Sequence, residues 1–152
     1  NTADKKNTLV WEVPYAHGIL KAVSYNKGGE VGTATLESAG KVEKIRLSAD
    51  RTEIVADGND LSYITLELVD SKGIRNQLAE ELVEFSIAGD ATIEGVGNAN
   101  PMSIESFVAN SRKTWRGSNL LVVRSGKSSG RIIVTAKVKA LPVASITITQ
   151  KK

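Results

Sequence analysis

Residues 47–73, LSADRTEIVADGNDLSYITLELVDSKG, most constrain what this chain can fold into. Ser62, Ile64, Leu66 and Leu68 fall on one face of an extended segment, and Tyr63, Thr65 and Glu67 on the other. An Ala-Asp-Gly turn precedes the segment and an Asp-Ser-Lys-Gly turn follows it. A period of two bounded by turn residues describes a half-buried antiparallel strand.

The same alternation recurs along the chain. Three strands are expected in residues 8–37: 8–13, ending at Pro14, then 18–25 and 30–37 joined by an Asn-Lys-Gly-Gly hairpin. Residues 38–40 read as a linker. Beyond it, 42–49, 51–55 (a short edge), 82–88, 91–97, 119–125, 131–138 and 143–149 read as strands. Residues 74–81 read as a loop or a single turn. The glycines in 91–97 suggest a bulge, and 98–117 looks irregular. These elements predict an all-β chain: an immunoglobulin-like antiparallel sandwich over residues 40–152, preceded by a partial immunoglobulin-like segment over 1–39. About 37 residues is too few for a β module to fold unaided, so the first segment is expected to lack its other half. Its open edge could serve homo-association. The start on Asn1, with a polar run leading into a strand, suggests a longer protein whose export signal lies upstream.

Composition removes several classes of function. No cysteine is present, so neither a disulfide framework nor a thiolate metal site is available. The single histidine, His17, cannot build a zinc site or a serine triad by itself. No apolar run reaches the roughly 20 residues of a membrane helix. All 17 acidic residues lie in 1–105, and residues 106–152 carry basic residues only. A nucleic-acid or anionic-glycan surface is one reading. The basic residues alternate with apolar ones, which favours late strands lying beside early ones with interleaved charge. No nucleic-acid partner, membrane partner or cofactor is expected.

Trp11, Val13, Pro14, Tyr15, Gly18, Leu20, Lys21, Ala22 and Tyr25, in LVWEVPYAHGILKAVSYNKGGEV, resemble the closing strands of an immunoglobulin-like accessory domain in bacterial glycoside hydrolase family 2 enzymes of the β-galactosidase-like group. The pattern L-S-A-D-R-T-x-I-x-A-D-G-x-D-L-S-x-I-T-x-x-x-V-D-x-x-G is similar to invasin- and intimin-type bacterial immunoglobulin-like domains. With GVGNANPMSIESF and SRKTWRGSNLLVVRSG added, it resembles the C-terminal domain of the same hydrolases. Asn100 stands where that family often has aspartate, and Ile104 where it often has histidine. The resemblance implies a non-catalytic accessory region of a periplasmic or extracellular glycosidase, with the catalytic barrel and neighbouring domains as its partners. The alternatives are a carbohydrate-binding module or an adhesion-type domain. The family's two catalytic carboxylates belong to its barrel, so no catalytic residue is carried onto this chain.

The residues with most to offer lie in the loop 95–107 and just after it. Asn98, Asn100, Ser103 and Glu105 supply polar groups of the kind sugar hydroxyls use, and Arg112, Trp115 and Arg116 are expected nearby. They are candidates for glycan contact or interdomain docking. The structural alternative is a self-bonded loop, with Asn98 and Glu105 satisfying turn amides and Phe107 plugging the core. Trp11 is expected as core or interdomain filler, and Trp115 as the more exposed ring. Asp50, Asp57, Asn59 and Asp60 could gather oxygen ligands for calcium, but D-G-N-D lacks calcium-loop spacing and suits a turn. No metal site is assigned.

Overall fold

In a computed structural model, residues 8–152 are described and divide into two compact units, one ending at Ser38 and the other spanning Ala39–Lys152. Each unit has its own logic. In the first, β1 (Ile19–Asn26) and β2 (Gly29–Glu37) form an antiparallel hairpin. Its two-residue turn places Lys27 at φ 48° and Gly28 at φ 83°, the doubly left-handed turn that matches strand twist. A register shift at Ser24/Tyr25 bulges the ladder. The third expected strand, residues 8–13, does not form. Its residues have the right alternation but belong to none of the sheets among the described residues. Trp11 is correspondingly exposed and fills no core.

The second unit is a two-layer antiparallel immunoglobulin-like sandwich. Its strands are β3 (Lys44–Ala49), β4 (Glu53–Val55), β5 (Leu61–Val69), β6 (Leu82–Ala88), β7 (Ala91–Gly97), β8 (Ser111–Lys113), β9 (Ser118–Ser125), β10 (Gly130–Val138) and β11 (Ala144–Lys151). One sheet has the order β3-β5-β9-β7 and the other β4-β11-β10-β6-β8. Ile64, Leu66 and Leu68 of β5 point inward with Leu121 and Val123 of β9 and Val96 of β7. Val83 and Phe85 of β6, Ile132, Val134 and Ala136 of β10, and Ile148 of β11 meet them from the facing sheet. Apart from Ala136, each such side chain contributes about 1.5–3 kcal/mol when withdrawn from water.

The chain changes sheet between β3 and β4, and β4 then runs parallel to β11, the one parallel pair among the described strands. Asp50 and Asp60 hold that corner. Asp50 Oδ1 accepts from the amides of Arg51 and Tyr63, each at 2.8 Å, while Asp60 Oδ2 accepts from the Val55 amide at 2.8 Å. The late basic residues interleave with early acids, as in Arg124–Glu94 at 2.7 Å and Lys151–Glu53 at 2.7 Å. β8 lies inside the stretch expected to be irregular. Residues 74–81 carry no helix.

Candidate functional site

The 98–110 loop leaves β7, an edge of one sheet, and returns to β8, an edge of the other. Sheet edges carry unpaired backbone groups that must find partners. Here the loop supplies them. The Val96 amide donates to Phe107 O at 2.7 Å, and the Phe85 amide to Asn110 O at 2.8 Å.

Arg112 organises this closure. Its side chain is fully buried, and Nη1 donates to Val96 O at 3.2 Å and Glu105 O at 3.1 Å. Nη2 donates to Ser103 Oγ at 3.0 Å. The guanidinium lies 4.2 Å from the centroid of the Phe107 ring, a cation–π contact. Its Nε–H finds no acceptor. Phe107 therefore does not plug the core, as one reading of the sequence had it: it is 63% exposed and roofs the arginine.

The structure draws Asn98, Ser103, Glu105 and Arg112 into one network. Asn98 is buried; its Nδ2 donates to Lys113 O at 2.9 Å and its Oδ1 accepts from the Asn100 amide at 3.0 Å. Asn100 Oδ1 in turn accepts from the Met102 amide. Glu105 Oε1 accepts from the Lys113 amide and Oε2 from Ser103 Oγ, each at 3.0 Å. The Lys113 amide, then the Ser103 hydroxyl and the Arg112 charge, hold the Glu105 carboxyl below its usual range.

Trp115 and Arg116 belong to a different feature. Trp115 and Ser118 exchange backbone hydrogen bonds of 3.1 Å around Arg116 (φ 52°) and Gly117 (φ 70°), a two-residue turn between β8 and β9. The Arg116 guanidinium lies 4.7 Å from the Trp115 ring centroid, and Trp115 is partly buried, less exposed than Trp11 at 56%, the reverse of the expected order. The sequence signal for this turn was the Arg-Gly pair ahead of an alternating strand.

The carboxylates of the D-G-N-D segment serve as turn acceptors. Asp57 Oδ1 takes the amides of Asn59 and Asp60, and Asp60 takes Val55, Leu61 and Arg51. Among the described residues no group of three or more His, Cys, Asp or Glu is placed to hold a metal ion. Backbone amides lead in lowering Asp57, Asp60 and Asp70, and Ser128 leads for Asp90.

A depressed carboxyl stabilises the fold above its unfolded value and loses that contribution as pH falls through its folded value. Ordinary values lie near 3.8 for Asp and 4.5 for Glu. The urea midpoint should therefore stay level from pH 7 to about 5 and fall steadily below about 4. Asp60→Asn should flatten part of that fall. A midpoint that rises on acidification would contradict the assignment.

The chain is similar to the C-terminal part of known glycoside hydrolases. The profile of glycoside hydrolase family 2 C-terminal domain 5 matches residues 45–147. A beta-galactosidase of Bacteroides ovatus is 34% identical over 95% of this chain, which corresponds to 17% of that protein. A beta-glucuronidase of Formosa agariphila is 29% identical over 95% of the chain and 14% of its own length. A solved glycosyl hydrolase family 2 member from Bacteroides cellulosilyticus superposes with a TM-score of 0.94 at 99% identity, covering 100% of this chain and 20% of that one. The chain thus spans a fifth or less of the length of these relatives.

Proposed function

The chain belongs to the glycoside hydrolase family 2 C-terminal domain 5 family, and from that premise we propose that it is a non-catalytic accessory region of a β-galactosidase-like enzyme acting on glycans. Its task is to brace the catalytic barrel or to shape the approach of substrate. The observation that carries this reading is the hydrogen bonding of five of its carboxylates, which already accept from turn and loop donors. A glycosidase general acid must hold a proton near neutral pH, which requires a raised carboxyl. Asp57, Asp60, Asp70, Asp90 and Glu105 are all pushed the other way by the amides and hydroxyls they accept from. They are structural acceptors, spent on turns and on the loop.

Bracing is favoured over sugar binding because the two rings stand on different turns and each has one face held by a guanidinium, Phe107 by Arg112 and Trp115 by Arg116. The division at residue 38 fits a first unit that is the closing hairpin of an upstream immunoglobulin-like domain, since two strands are marginal in water. Location in the periplasm or outside the cell belongs to the same proposal and rests on the family.

The test uses nitrophenyl galactosides. The 152-residue chain should release no nitrophenol, while the longer enzyme deleted for residues 40–152 should unfold several degrees lower than the intact one. Turnover by the short chain that Glu105→Gln abolishes would overturn the non-catalytic reading. An unchanged unfolding midpoint and unchanged KM in the deletion would overturn the bracing reading.

A further inference from the structure

The outer side of the 98–110 loop is apolar in a way that its inner side does not explain. Ile104 is fully exposed, Met102 is 83% exposed, Val108 79% and Phe107 63%. These four side chains sit within seven consecutive residues, and the loop that bears them is held in place. Arg112 binds Ser103, the Glu105 carbonyl and the Phe107 ring from below. Exposed apolar side chains on a mobile loop would need no account. On a loop held by a fully buried guanidinium they form a fixed surface.

We propose that Met102, Ile104, Phe107 and Val108 are the contact by which this sandwich docks onto the remaining part of the same enzyme polypeptide. The inference rests on the accessory reading above and names its surface. Three arguments select the occupant. Aliphatic tips such as Ile, Met and Val do not form a stacking platform for sugar rings, so the partner is an apolar protein surface. A second copy is disfavoured by size: a stable pairing of free chains needs about 800 Å² on each side, and four side chains supply a few hundred. A tethered partner has no such requirement, because covalent linkage raises its effective concentration to the millimolar range. Such a partner exists on the scale required, since the solved relative that is 99% identical continues for four times this length.

Hydrogen exchange of amides 102–108 tests the proposal, comparing the longer enzyme with the 152-residue chain. The loop should exchange at least about tenfold more slowly in the longer enzyme. Ile104→Asp, a change at a fully exposed position, should return the rate to that of the short chain while leaving the short chain's own rate unaltered. Equal rates in the two proteins would overturn the proposal. So would protection that grows with the concentration of the short chain, which identifies a second copy. Protection that appears only on adding a galacto-oligosaccharide would equally overturn it. Loop protection in an enzyme whose deletion form is as stable as the intact one would leave docking standing and remove bracing, so the two failures are separable.

Discussion

Arg112→Ala is expected to destabilise the second unit by about 3 kcal/mol. The change strips the donor from Val96 O and Glu105 O, both of which face Nη1. A buried carbonyl left without a partner costs about 1–3 kcal/mol. The space vacated by a fully buried arginine stem adds a packing loss. One effect works the other way: the unpaired Nε–H disappears, which recovers about 1 kcal/mol. Arg112→Met should lose less than alanine because it refills the volume, and Arg112→Lys should fall between wild type and alanine because a lysine cannot reproduce the fork. Urea unfolding at an unchanged m-value measures all three. A loss under about 1 kcal/mol for alanine would mean that the loop is closed by something other than this side chain.

That prediction also marks where reading the amino-acid sequence stops. β5, β10 and β11 announce themselves because polar and apolar residues alternate cleanly between recognisable turns, and the inward set is the buried set: Ile64, Leu66 and Leu68, then Ile132, Val134 and Ala136. β8 obeys the same geometry, but its buried member is Arg112, so a hydrophobicity code skips it. The inversion has a physical cause. The β7 edge and the 98–110 loop present carbonyls there, Val96 O and Glu105 O, and a long, multiply donating side chain reaches both. Phe107 is then displaced outward, and the expected core plug becomes a lid. Residues 8–13 fail in the opposite sense. Their alternation is as good as that of β5, but a strand exists only where another strand pairs with it, and no local pattern carries that information. Within the candidate set, polarity and turn chemistry single out Asn98, Asn100, Ser103 and Glu105, and the structure shows their bonding within the loop and to β8. Trp115 and Arg116 attracted attention as a ring beside a cation, while their place in the fold is decided by Gly117.

Gly117→Ala should cost about 3 kcal/mol although it adds one methyl group. Gly117 takes φ 70°, where an L-residue is strained, and a Cβ built there would lie 2.1 Å from Asn76 O. That oxygen is backbone, so it cannot swing aside as a side chain would. The neighbourhood is also tied down: the Gly117 amide donates to Ala79 O at 3.0 Å, and its carbonyl accepts from the Leu68 amide at 2.9 Å. Moving the turn to make room disturbs the end of β5 and the 76–79 loop together. Arg116 provides the contrast. It shares the left-handed conformation, is exposed, and makes its contact with the Trp115 ring alone among the aromatic rings described. Arg116→Asn, a residue better suited to positive φ, should therefore be neutral or stabilise by up to about 1 kcal/mol. Thermal unfolding of the two variants side by side decides the matter. If Gly117→Ala unfolds with wild type while Arg116→Asn unfolds early, the Arg116 side chain and not the turn geometry holds β8 to β9.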